Sequence, residues 1–195
     1  RERDKAEYKA AQLSILEGTP SVARLALLAR QMIYRLPDQE FIDVFEQVYA
    51  IEMPENPISQ FCRRQIDGLS LQVGNHYVDF EAPDLDGQMH RLSEMVEGAK
   101  IVLLDLWASW CGPCRRASME MIPLYDQYKS RGFMVIGVAR ESESTEAMES
   151  AIRKDGYTWP QLVELDDRAN LWSQYGCING AGRRILFNAE GEILA

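Results

Sequence analysis

A chain of 195 residues that is 46% hydrophobic and 26% charged has the apolar content for a sizeable core, which excludes disordered, collagen-like and low-complexity classes. Thirty acidic against 21 basic residues leave a net charge of -9, a field that repels phosphate backbones and argues against a general nucleic-acid-binding role. The longest apolar stretches, Ile101 to Leu104 and Phe133 to Ala139, fall far short of the roughly 18 residues that span a bilayer, so no transmembrane segment is expected, and four cysteines are too few for a disulfide scaffold.

The sequence opens at Arg1 with no basic, apolar, small-residue leader, as in a mature or trimmed protein. Residues 2 to 17 read as a weak helix stopped by Gly18. From Thr19 to Leu36, Val22, Leu25, Ala26, Ala29, Met32, Ile33 and Leu36 recur at helical spacing, with Thr19 as the expected N-cap and Pro20 in the first turn. Phe41, Val44, Phe45, Val48 and Tyr49 repeat the pattern behind Asp38 and Glu40. Ile58, Phe61, Cys62, Ile66 and Leu69 do so behind Asn56-Pro57. Residues 1–70 therefore read as an all-helical module whose apolar stripes serve packing.

The character changes near Gln72. Gly74, Pro83, Asp86-Gly87 and Gly98 punctuate segments that predict a β-hairpin and a short turn of helix. Ile101–Leu106 and Phe133–Ala139 are continuous apolar, β-branched runs, the pattern of strands buried on both faces, and a helix from Cys111 to Ser130 lies between them. Strand, helix, strand in that order is a right-handed βαβ unit. Helices from Thr145 to Asp155 and from Ala169 to Tyr175 follow, then Arg184–Asn188, a turn at Glu190-Gly191, and Ile193-Leu194. Residues 71–195 thus predict an α/β domain with a mixed sheet.

The chemistry concentrates in Trp110-Cys111-Gly112-Pro113-Cys114, between a buried strand and the start of a helix. A free thiol has a pKa of about 8.5, whereas idle N–H groups and the positive helix end bring it to about 7 or below, which makes Cys111 the nucleophile. Two intervening residues place Cys114 one turn later on the same side, within reach of a mixed disulfide on Cys111. Pro113 suits an early helix position because it lacks the N–H that would be idle there.

Asp105 to Cys114, read as Asp-Leu-Trp-Ala-Ser-Trp-Cys-Gly-Pro-Cys, resembles the active-site segment of thioredoxins. The lead-in, with Gly74, Phe80, Ala82-Pro83, Asp84, Gly87 and Leu92-Ser93, is similar to the TlpA/ResA-like thiol-disulfide oxidoreductases of bacterial envelopes and to their peroxiredoxin relatives. The resemblance covers about residues 72 to 195 and implies a thioredoxin-like fold, a central mixed sheet flanked by helices, behind the all-helical N-terminal module. It makes Cys111 the attacking and Cys114 the resolving cysteine. Asp105 matches the buried carboxylate that handles the resolving thiol's proton, and burial should raise its pKa; the competing reading is a strand-end Asp satisfied by hydrogen bonds. Trp107 matches a packing aromatic, Trp110 also a wall of the substrate groove, and Gly112 and Pro113 shape the turn.

The sequence departs from the family at three places. The family's cis-proline facing the CxxC motif registers on Gly182, and the loop after Tyr175-Gly176 is one residue longer than in thioredoxin. A cis bond before a non-proline residue costs about 3 to 4 kcal/mol, so a trans peptide and a reshaped loop are expected, which weakens the expected docking of substrate backbone. Met119 stands where the family has a kinking proline, and Pro123 follows four residues later, so the bend is expected nearer the helix middle. The sequence also ends at Ala195, inside the expected last strand, without the family's closing helix; further residues or another element, such as the N-terminal helices, should cover that face.

Cys62, beside Phe61 and Ile66, reads as a core thiol, and so does Cys177, although a Cys62–Cys177 disulfide stays open. Beyond the CxxC pair only His76, His90, Cys62 and Cys177 remain as nitrogen or sulfur ligands, without a second paired spacing, so no metal is expected. Neither histidine forms a nucleophile–base pair, which argues against a thiol protease. Ala108 stands where peroxiredoxins carry a threonine, and with Cys114 present dithiol exchange is the better chemistry. Arg115-Arg116 and Arg183-Arg184 are read either as a positive rim beside the cysteines or as ordinary surface charge.

The resemblance implies a thiol-disulfide oxidoreductase that reduces a disulfide-containing protein substrate, needs no cofactor and draws on an electron donor that the sequence does not identify. It implies the bacterial cell envelope or periplasm and leaves the cytoplasm open. The alternative is an envelope binding or assembly protein whose thioredoxin-like domain is redox-impaired, with Gly182 and the absent closing helix as its basis.

Overall fold

The computed structural model describes residues 2–34, 38–177 and 182–195. They fall into two units, residues 1–69 and residues 70–195, each with its own core. The expected end of the second helix at Leu36, and the loop and trans peptide expected before Gly182, lie outside the described residues.

The first unit is helical: α1 (Glu2–Leu16), α2 (Val22–Tyr34), α3 (Gln39–Val44), a π-helical turn (Phe45–Tyr49), α4 (Ala50–Glu52) and α5 (Pro57–Leu69). Its core gathers Leu16, Leu25, Leu28, Met32, Phe41, Phe45, Tyr49 and Cys62. The cap of α2 is Ser21, not the expected Thr19. Ser21 Oγ takes the amide of Arg24 and its carbonyl takes the amide of Leu25, while the Thr19 carbonyl is occupied by the Arg24 guanidinium. Asp38 and Asn56 cap α3 and α5 by accepting the amides two residues on. The π-turn ends at fully buried Tyr49, whose hydroxyl donates to the Leu16 carbonyl at 3.0 Å.

In the second unit, β1 (Glu81–Pro83) pairs antiparallel with β2 (Met89–Arg91) around a turn in which Asp84 accepts the amides of Asp86 and Gln88. After the short helix α6 (Leu92–Met95) come β3 (Ile101–Trp107), α7 (Gly112–Tyr128), a 3-10 turn (Lys129–Arg131), β4 (Phe133–Glu141), α8 (Glu146–Asp155), β5 (Gln161–Leu165), α9 (Leu171–Gln174) and β6 (Arg183–Asn188). The sheet order is β5-β4-β3-β6, with β3, β4 and β5 parallel and β6 antiparallel to β3. Ile193 closes on Phe187 as a single bridge rather than as a full strand.

Strand β5 has no counterpart in the sequence reading, and the reason is physical. Two of its five residues, Gln161 and Glu164, are polar yet buried, so no apolar run announces it. Gln161 Oε1 accepts the Trp107 indole N–H at 2.9 Å, while its buried Nε2 finds no partner among the described residues, and Glu164 accepts the amides of Ala169 and Leu171, so the acceptor oxygens of both residues are paired.

The two-residue period of β3 divides the core. Val102, Leu104 and Leu106 face one cluster, while Leu103 and Trp107 face another that packs against Met121, Ile122 and Tyr125 of α7. Asp105 has the parity of Leu103 and Trp107 and therefore points under α7. It lies inside the strand, not at its end. Helix α7 continues through Pro123, which has no N–H to offer the Met119 carbonyl, so its ladder is interrupted in its second half.

Candidate active site

Cys111 is the N-cap of α7. Its carbonyl accepts the Arg115 amide, its amide donates to the Ala108 carbonyl, and its Sγ takes the Cys114 amide at 3.3 Å. Cys111 and Cys114 are joined as a disulfide, with their Cα atoms 5.3 Å apart. The amide aimed at Cys111 Sγ and the open end of the helix give that sulfur a donor and a positive dipole end when it carries charge.

The residues singled out in the sequence line one groove of about 630 Å³: Asp105, Trp110, Cys111, Gly112, Pro113, Cys114 and Gly182, with Arg183 and Arg184 on the same wall. Trp110 is 58% exposed, with its ring 6.3 Å from that of buried Trp172. Trp107 is fully buried and held by Gln161. At Gly182 the backbone runs so close to the disulfide that a Cβ would fall 2.2 Å from the Leu106 carbonyl oxygen and 2.8 Å from Cys114 Sγ. Only glycine is accommodated there.

Asp105 is 2% exposed. Burial pushes its carboxyl above the ordinary carboxylate range, and two partners work against that shift: the Ser118 hydroxyl donates to Oδ2 at 2.5 Å, and Arg184 Nε donates to Oδ1 at 3.2 Å. The pairing follows from register, because Asp105 and Arg184 face each other across the antiparallel β3–β6 ladder. Ser118 was not singled out in the sequence. The available signal was its spacing, four residues past Cys114 on the same face of α7.

The four arginines around the cysteines differ in their commitments. Arg115 forms a two-point pair with Asp155, at 2.6 and 2.7 Å, and this holds the Asp155 carboxyl below its ordinary range. Arg184 belongs to Asp105, and Arg183 donates to the carbonyls of Tyr175 and Leu71. Arg116 is exposed beside Gly112. Any positive rim therefore rests on Arg116 and Arg183, which form no ion pair among the described residues. Cys62 and Cys177 are each a free buried thiol within its own unit, pushed by burial up to about 12 and about 11.

Residues 73–193 match the AhpC/TSA family profile. Thiol-disulfide oxidoreductase ResA of Halalkalibacterium halodurans is 35% identical over 124 residues, 63% of this chain and 66% of that protein. ResA of Geobacillus kaustophilus is 33% identical over 99 residues, 51% of this chain and 55% of that protein. The chain thus spans less than two thirds of the length of these curated relatives. Among solved structures, the thioredoxin domain of a thiol-disulfide oxidoreductase from Bacteroides vulgatus aligns with a TM-score of 0.56 at 32% identity, over 65% of this chain and 88% of that one.

Proposed function

The chain belongs to the AhpC/TSA family and residues 70–195 carry a thioredoxin-like fold, and from that premise we propose that it is a thiol-disulfide oxidoreductase cycling through Cys111 and Cys114. The observation that carries the reading is the Cys111–Cys114 pair at the N-terminus of α7, in a groove whose wall includes the buried carboxylate of Asp105. The helical residues 1–70 and the thioredoxin-like residues 71–195 act as separate domains in this reading.

In the reducing direction the Cys111 thiolate attacks one sulfur of a substrate disulfide. A Cys111–substrate bond forms, the substrate S–S bond breaks, and one substrate thiolate leaves. Cys114 then loses its proton, for which Asp105 is the buried acceptor in the same groove, and its thiolate attacks Cys111 Sγ. The second substrate thiolate leaves and the Cys111–Cys114 disulfide closes, so two electrons have passed to the substrate. A dithiol donor restores the pair, and no organic cofactor or metal enters the cycle. Trp110 and the backbone at Gly182 form the groove that receives the substrate chain. Gly-Pro between the cysteines, the pair found in thioredoxins, supports reduction as the direction, and the TlpA/ResA-like lead-in supports the bacterial envelope or periplasm as the location.

The test is a titration of the purified protein against dithiol buffers, with mass-resolved thiol labelling of Cys111 and Cys114. A reversible midpoint near the roughly -270 mV of thioredoxin supports the reductase, whereas one near -120 to -180 mV reverses the direction. Cys114→Ser should trap a mixed disulfide with a peptide disulfide, and Cys111→Ser should not. A pair that never cycles would make the domain a binding or assembly module, the reading favoured by the close approach of Gly182 to Cys114. Cell fractionation tests the location, and a wholly cytosolic protein overturns it.

A further inference from the structure

The residue two positions before Cys111 is held through its amide, hydroxyl and carbonyl by two side chains, one 32 and the other six residues along the chain. Ser109 lies inside the turn closed by the Cys111 N–H bond to the Ala108 carbonyl at 3.0 Å, so its orientation is passed on to Trp110 and Cys111. Its amide and its hydroxyl both donate to the Glu141 carboxylate, each at 2.7 Å and each to a different oxygen. Its carbonyl accepts from Arg115 Nη1 at 3.3 Å. Arg115 is itself anchored on Asp155, and the Tyr157 hydroxyl lies 3.0 Å from Asp155 Oδ2 and 3.2 Å from the Arg115 carbonyl.

Glu141 ends β4 and is 4% exposed. A carboxylate buried to that extent loses its hydration, and here both oxygens are spent on one residue of the active-site turn. The arrangement matters most when the disulfide is open. In the oxidised state the covalent bond to Cys114 holds Cys111; once it is reduced, only hydrogen bonds keep the thiolate at the helix end.

We propose that Glu141 and Arg115 are positioning residues that clamp Ser109 and through it hold Cys111 in its attacking geometry when the Cys111–Cys114 bond is open. This rests on the oxidoreductase reading above and adds to it the side chains of Glu141 on β4 and Arg115 on α7, whose hydrogen bonds to the active-site turn go to Ser109 rather than to the sulfurs.

The experiment compares the wild-type protein with Glu141→Ala, Glu141→Gln and Ser109→Ala. Turnover of a synthetic peptide disulfide is measured with dithiothreitol as donor, and the pH profile of iodoacetamide alkylation at Cys111 is recorded alongside. Glu141→Ala removes two charge-assisted bonds and should lower kcat by about tenfold or more with KM little changed. Glu141→Gln can still accept the Ser109 amide on its Oε1 and donate its NH2 to Ser109 Oγ. It should recover most of the lost rate, and with the nearby negative charge gone its alkylation profile should move to lower pH. Ser109→Ala loses one arm and should fall between.

Turnover of Glu141→Ala within about twofold of wild type, or Glu141→Gln as slow as Glu141→Ala with an unmoved profile, overturns the clamp. Should Glu141→Ala fail to fold, an unchanged rate in Ser109→Ala overturns it equally. A wild-type protein that does not reduce the probe refutes the oxidoreductase reading instead, and the alkylation profiles still decide the clamp.

Discussion

Replacing Arg184 by methionine removes the cation facing Asp105 while keeping an unbranched apolar stem on β6. In the native protein Arg184 Nε sits 3.2 Å from Asp105 Oδ1, and Asp105 is almost fully buried whereas Arg184 is 30% exposed. The folded pKa of Asp105 lies above its ordinary value of 3.8 because burial outweighs Ser118 and Arg184. Below that value the carboxyl is neutral in folded and unfolded chains alike, so its charge adds nothing. Above it the unfolded chain binds fewer protons than the folded one, and stability falls as pH rises through the folded pKa. Without Arg184 the folded pKa climbs further and the fall extends to higher pH. A hydrogen bond to a charged group is worth about 1.5 to 3 kcal/mol, and solvent at Arg184 screens part of it, so the expected loss at pH 8 is about 1 to 2 kcal/mol. Urea unfolding of the oxidised protein at pH 4, 6 and 8 measures it. The loss should shrink towards pH 4, and in an Asp105→Asn background its pH dependence should vanish. An equal loss at pH 4 and pH 8 would refute the electrostatic account and leave only lost packing.

The start of α2 offers a local test. Ser21→Ala should cost about 0.5 to 2 kcal/mol in thermal or urea unfolding, while Thr19→Ala should cost little, and the reverse order would restore Thr19 as the cap. Gln161→Leu leaves the buried Trp107 indole N–H without its acceptor and should destabilise by about 1 to 3 kcal/mol, an effect absent if another acceptor moves in. After reduction of the native protein at pH 8, only Cys111 and Cys114 should take up iodoacetamide quickly. Cys62 and Cys177, buried and with thiol pKa values raised to about 12 and about 11, should label fully only after denaturation. Rapid native labelling of Cys177 would contradict its burial.

The N-terminal helices, the βαβ unit and the paired cysteines at a helix start were legible because each rests on local pattern. Val22 to Met32 and Phe41 to Tyr49 carry a helical stripe, Ile101–Leu106 carries an unbroken apolar run, and Cys111 and Cys114 carry a fixed spacing at a helix start. The π-turn at Phe45–Tyr49 escaped that reading; the Tyr49 hydroxyl finds its partner, the Leu16 carbonyl, 33 residues away. Strand β5 escaped it because its buried Gln161 and Glu164 place their oxygens on Trp107 and on the amides of Ala169 and Leu171. A sequence window sees two polar residues where the fold sees two filled acceptors.

The candidate site divides along the same line. Chemical identity and helix position of the paired cysteines belong to five consecutive residues, and periodicity alone puts Asp105 on a buried strand. What surrounds them does not. Arg184 reaches Asp105 only because β6 runs antiparallel to β3 in that register, Ser118 because α7 lies over that face, and Glu141 reaches Ser109 only because β4 ends where the active-site turn begins. Periodicity and capping act within a few residues along the chain and are written there. Ser118, Arg184 and Glu141, as hydrogen-bond partners of Asp105 and Ser109, arrive from neighbouring strands and from α7, 13 to 79 residues away, where only tertiary packing decides who meets whom.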